Sequence, residues 1–223
     1  MLQSRASAWA SRGLQPIAKF ARRPRVSDLK AQLTARFLAI NGEHLMTPAD
    51  DWYVNQHFVP LDDLCAARSL PADVIRRHML AQQLPLPGYI RSDGTEMVPD
   101  DLLELSEKAG GVDRLQEWFS SHWADPQEAS AEWDAYVSGQ NVCLRAVTPD
   151  SIQRKNHLVS AIRRVLAEQP KSARWPDDLH ELVDELDQLE FPFAPYDRLR
   201  FGGSVTRDTA IDDVRARFPR RQD

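Results

Sequence analysis

The chain has 223 residues, 42% hydrophobic and 27% charged, with a net charge of −5. That is enough for one large or two small globular domains with a buried core, and no run approaches the roughly 18 apolar residues that a membrane span needs. The charge is uneven: residues 1–45 hold eight Lys/Arg against Asp28 and Glu43, a net of +6, which leaves −11 on residues 46–223. An acidic body repels phosphate backbones, so DNA is disfavoured as a partner.

Residues 1–45 read as a basic N-terminal extension, partly disordered, rich in Arg, Ser and Ala. Three readings suit that composition: a tail or upstream start with Met46 as the functional beginning, an organellar transit peptide, or a nucleic-acid arm. Within it, Leu29, Leu33, Phe37 and Leu38 share one helical face and Asn41-Gly42 supplies a stop, which predicts a helix over 27–40. Thr47-Pro48-Ala49-Asp50 predicts a helix start running to about His57. Pro60 opens a second helix with Leu61, Leu64 and Cys65 on one face, Ser69-Leu70 makes a turn, and Pro71 begins a third carrying Val74, Ile75, Met79 and Leu80. The prolines of Leu84-Pro85-Leu86-Pro87-Gly88 exclude helix. Tyr89-Ile90-Arg91 and Thr95–Val98 flank Ser92-Asp93-Gly94, a hairpin turn signal.

Helices are predicted further on at Pro99–Lys108, around Val112–Trp123, at Pro126–Val137, and after Thr148-Pro149. Trp118, Phe119, Trp123, Trp133 and Tyr136 read as core. Leu158, Val159, Ile162, Val165 and Leu166 form one amphipathic stripe, and Leu179, Leu182, Val183, Leu186 and Leu189 form another that suits packing against it. Phe191–Gly203 reads as irregular, with Thr206 capping a last helix to about Phe218. The fold class expected is mainly α: a winged helix-turn-helix-like module with one β-hairpin at 46–110, followed by a helical bundle domain at 111–218.

Two segments carry candidate chemistry. Phe58–Val98 resembles the MerR-type winged helix, with a second helix that would enter the major groove and a wing beside the backbone. The resemblance implies nucleic-acid contacts from Arg76, Arg77, His78 and Gln82 on the helix and Arg91 on the wing. Residues 46–109 nevertheless hold five Lys/Arg against eleven Asp/Glu, so a structural platform with paired arginines is the competing reading. The second segment, FPFAPYDRLRFGGSVTRD, gathers Tyr196, Asp197, Arg198, Arg200, Gly202, Gly203, Ser204, Thr206 and Arg207 ahead of a helix start. Amides and guanidinium groups so placed suit an anionic ligand. An ordered connector that staples the last helix to the body is the plainer alternative.

No phosphate loop or dinucleotide fingerprint appears, so no cofactor is expected. The six histidines do not gather, His157 and His180 stand alone, and no Cys-x-x-Cys exists, so no metal is expected. Cys65 and Cys143 read as buried thiols of a reducing compartment, which points to the cytoplasm. Asp184, Glu185, Asp187 and Glu190 read as a solvated face. Four blocks, FVPLDDLC, PLPGYIRSDGTEMVPDD, SGQNVCLRAVTPDSIQRK and LDQLEFPFAPYDRLRFGG, resemble a bacterial family of unknown function often labelled a natural product biosynthesis protein, over about Phe58–Phe218. That label implies an accessory role and no reaction. The function expected is a noncatalytic accessory or binding protein that docks a protein partner or a small anionic ligand. A DNA-binding regulator is the first alternative, and an enzyme of unknown type with its site in residues 191–208 the second.

Overall fold

A computed structural model describes residues 26–168, 175–203 and 205–220, with side chains from Asp28 onward; the first 25 residues and Ser204 lie outside it. The protein is mainly helical with one small sheet. Helix α1 (Val26–Asn41) buries Leu29, Leu33 and Phe37, the face marked by their spacing. Helix α2 (Pro48–His57) begins with a reciprocal cap in which the Asp50 amide donates to Thr47 and the Thr47 amide donates back to Asp50. Strand β1 (Val59–Pro60) leads into α3 (Leu61–Ala67), a tight turn, and α4 (Ala72–Leu80). Strands β2 (Tyr89–Ile90) and β3 (Glu96–Val98) form the hairpin. All pairing is antiparallel in the order β1-β3-β2, with Val59 opposite Val98 and Tyr89 opposite Met97. The third strand was not expected: it is two residues long and includes a proline, which an edge strand tolerates.

Beyond the hairpin, residues 100–103 turn before α5 (Glu104–Lys108), so the helix expected from Pro99 is only its second half. Helices α6 (Val112–Ser120) and α7 (Pro126–Val137) carry the aromatic core, where Phe119 stacks on Trp123 and Tyr136 at centroid distances of 4.6 and 5.0 Å. Helix α8 (Pro149–Ala167) has its own reciprocal cap between Thr148 and Ser151. It packs on α9 (Trp175–Leu189) through Leu158, Val159, Ile162, Leu179, Val183 and Leu186, the two predicted stripes. The largest apolar cluster runs from Leu33 to Ile152 and so crosses residue 110.

Two expectations near the C-terminus need correction. Residues 191–203 are not wholly irregular, because Pro195–Arg200 forms a short helix, α10. Pro195 sits in its first turn, where the missing amide costs nothing, and Asp197 accepts from the Ala194 amide. Thr206 is not a cap: the Val205 carbonyl accepts from the Thr209 amide, which puts Thr206 inside the first helical turn. That helix passes through a π-helical turn at Asp208–Asp212 into α11 (Asp213–Arg217).

Candidate functional site

The residues that the winged-helix resemblance assigns to nucleic acid have different partners. Arg76 is 3% exposed and turns inward, where Nε lies 3.0 Å from both Glu96 oxygens and Nη2 lies 2.6 Å from Asp62; Asp73 completes the set at 3.2 Å. Glu96 points the same way from β3 and is 2% exposed. Hydrogen bonding to Glu96 outweighs burial and holds the guanidinium above its ordinary pKa. Arg91 donates to Asn55 at 2.9 Å and pairs with Asp93 across the hairpin turn. His78 Nδ1 lies 2.8 Å from Gln83. Gln82 is exposed and adopts a left-handed backbone (φ 61°) that closes α4, and Arg77 is exposed. The α4–hairpin unit therefore spends its central arginine on an internal ion pair.

The anionic-ligand segment also divides. Tyr196 and Asp197 are each 1% exposed, and Arg200 is 8%. Asp197 accepts from the Tyr89 hydroxyl at 2.9 Å. Burial raises its pKa above the ordinary aspartate value, partly offset by that bond and by the Ala194 amide. Burial likewise raises the pKa of Tyr89 and of Tyr53, which keeps both phenols neutral. Arg200 donates to Asn41 Oδ1 (2.6 Å), the Gly88 carbonyl (2.6 Å) and the Gly139 carbonyl (2.7 Å), so one fork ties α10 to α1, to the approach to β2, and to the turn after α7. Gly139 is needed at that turn: its φ is +69°, and a Cβ would come within 3.2 Å of the Leu86 carbonyl oxygen. Arg198 pairs with Asp208 and Arg207 with Asp187. Gly202 and Gly203 are exposed. These residues lock the segment onto the body rather than converge on a shared hollow.

A hollow does lie beside them. A cavity of about 270 Å³ is lined by Gln140, Cys143, Lys155, Phe193, Phe201, Val205 and Thr206. Four of those residues belong to 191–208, but they are the apolar and hydroxyl side chains, not the charged ones singled out from sequence. Its polar lining includes Cys143 and Lys155, and Glu190 lies outside the lining, buried against Lys155. The Phe191 amide donates to the Cys143 carbonyl at 2.8 Å and the Arg145 amide to the Leu189 carbonyl at 2.9 Å, an antiparallel bridge that sets Cys143 beside Glu190. Lys155 reaches over from α8, with Nζ 2.8 Å from Cys143 Sγ and 3.0 Å from Glu190 Oε1.

Glu190 has no exposed surface. Lys155 is the cation set against it, 3.0 Å from Oε1 in a poorly aligned contact, and among the described residues no other side chain donates to its carboxylate. Burial works against the Lys155 ammonium, but Cys143 and Glu190 outweigh it and hold its pKa above the ordinary lysine value. Burial pushes the Cys143 thiol up, with only partial offset from Lys155. The arrangement sets a cation and a thiol at the edge of an open hollow of mixed polar and apolar lining. Among the described residues, no group of three His, Cys, Asp or Glu could hold a metal ion, and no helix is long and apolar enough to cross a membrane.

Residues 115–219 match a family of unknown function (DUF6058). The matched stretch contains the blocks SGQNVCLRAVTPDSIQRK and LDQLEFPFAPYDRLRFGG and every residue of the cavity wall. Neither a curated protein nor a solved structure matches the chain.

Proposed function

We propose that the protein is a noncatalytic binding protein whose ligand is a small molecule with an anionic head, held in the Lys155 cavity. The observation that carries this reading is a half-buried ammonium on the wall of a hollow of about 270 Å³ whose other walls include Phe193, Phe201 and Val205. Ligand sites are hollows of about 300–1,000 Å³ with a few placed polar groups, and this one lies just below that range, with polar and apolar lining in similar amounts. One consideration supports the noncatalytic half. Lys155 is held as an ammonium and Cys143 as a thiol, so neither is poised as a nucleophile. The finer reading, an accessory to natural product biosynthesis, draws on the four sequence blocks and suggests where such a ligand would arise.

The test is calorimetric titration with butyrate, hexanoate, benzoate and phenylacetate, each beside its neutral amide. At least one acid is expected to bind with a Kd of about 1 mM or tighter, about tenfold tighter than its amide, a difference of about 1.4 kcal/mol. Lys155→Met combined with Glu190→Gln, which avoids stranding a buried carboxylate, should abolish the preference. Equal binding of acids and amides, or no binding at all, would sink the reading. The same protein is expected to give no sequence-selective gel shift at physiological salt. A shift abolished by Arg77→Ala would restore the DNA-binding alternative.

A further inference from the structure

We propose that an anion enters the Lys155 cavity together with a proton, and that Glu190 is the group that takes the proton up. This rests on the reading of the cavity as an anion site and goes further, because it makes the affinity depend on pH through one named carboxyl.

The argument begins with charge. Without ligand, Lys155 and Glu190 form a buried pair of zero net charge, 3.0 Å apart. A carboxylate that reaches Lys155 from the cavity side turns the pair into two anions sharing one cation. A buried uncompensated charge is costly, and titratable groups in that position neutralise instead. Two like charges sharing one site raise the pKa of one of them strongly.

Glu190 is the group that yields. A ligand carboxylate reaches Lys155 from the open side of the hollow, whereas Glu190 is fully buried and, among the described residues, has Lys155 as its one close cation. Among the described residues, the charged and titratable groups around it are few. Lys155 faces it from α8, Cys143 from the segment before α8, Asp187 lies one turn back on α9, and Arg207 approaches from the last helix. Arg207 is already engaged with Asp187, so it does not replace Lys155. Burial already raises the Glu190 pKa, and Lys155 is the first of the groups that oppose this. Dividing the ammonium between two carboxylates weakens that opposition. Cys143 does not serve instead, since it is already held as a thiol and has no charge to lose.

The sign follows directly. Glu190 binds a proton more readily in the liganded state, so affinity is highest at low pH and falls as pH rises through the range where only the complex holds the proton. Across that range, Kd is expected to rise by up to tenfold per pH unit. Titrations of the tightest of the four acids above, repeated in two buffers of different ionisation enthalpy, should report an uptake approaching one proton per ligand bound. Glu190→Gln should remove both the uptake and the pH slope. If none of the four acids binds wild type, the anion-site reading fails and this inference falls with it. If an acid binds with no proton uptake, or if Glu190→Gln keeps the wild-type pH slope, the proton linkage alone is overturned.

Discussion

Arg200→Met lowers the free energy of unfolding by about 3–5 kcal/mol, measured by urea denaturation with little change in the slope of the transition. The substitution preserves apolar volume but strands Asn41 Oδ1 and the carbonyls of Gly88 and Gly139, all close to the buried guanidinium. Each buried acceptor left without a donor costs about 1–3 kcal/mol, and water reaches the site poorly because Arg200 is only 8% exposed. The guanidinium also lies over the rings of Phe37, Tyr89 and Phe201 at 4.9–5.6 Å, contacts that a thioether replaces only in part. Arg200→Lys should recover little. An ammonium is a point charge and cannot reproduce a planar fork aimed at three separate acceptors. A loss below about 1 kcal/mol for Arg200→Met would mean that the fork is not the tie described above.

The second large effect belongs to Arg76 and Glu96. Removing one partner of a buried pair typically costs about 3–5 kcal/mol, because the other charge is left uncompensated. Arg76→Met should fall in that range: Glu96 is 2% exposed, and its two oxygens face the Arg76 guanidinium. Glu96→Ala should cost less, since Asp62 and Asp73 stay within 3.2 Å of Arg76 and keep it paired. The informative variant is Arg76→Met with Glu96→Met. Apolar replacement of a whole buried pair is often neutral or stabilising, so the double variant should regain most of what Arg76→Met loses. A double variant as unstable as the sum of the singles would show that the pair does not act as a unit.

The helix starts were legible because their chemistry is local. Thr47-Pro48 and Thr148-Pro149 each announce a cap, and both caps are reciprocal in the structure. The hairpin was legible from Ser92-Asp93-Gly94, where Gly94 takes the positive φ that the turn requires. The paired stripes of α8 and α9 were legible from their 3.6-residue period. The partner of Arg76 was not, since it lies 20 residues away on a strand of three residues. The cavity was less legible still, because its wall draws on residues between 140 and 206.

One signal for the cavity was nevertheless present. Lys155 falls three residues after Ile152 and three before Leu158, so it stands within the buried stripe of α8 and not on its solvated face. A charge at such a position requires a buried partner. Glu190, read from sequence as part of a solvated acidic face, is that partner. The segment 191–208 attracted attention for its arginines and aspartates, yet most of these are consumed in holding it down. Its phenylalanines are what it contributes to the hollow.

The Arg200 fork also bears on the order in which the chain assembles. Its three hydrogen bonds close loops of 159, 112 and 61 residues, whereas Arg76 and Glu96 lie only 20 apart. Loop closure must precede the reward for such distant contacts, so they form late. Arg76 belongs to a unit that can form early, and Arg200 to the step that seals the finished molecule. Interactions absent from the transition state act on the rate of unfolding and leave the rate of folding nearly unchanged. Arg200→Met should therefore steepen loss of the native state in stopped-flow unfolding while refolding proceeds at its wild-type rate. Slowed refolding would instead place the fork in the nucleus. On this account one side chain in a six-residue helix governs how long the folded protein lasts, independently of how quickly it is made.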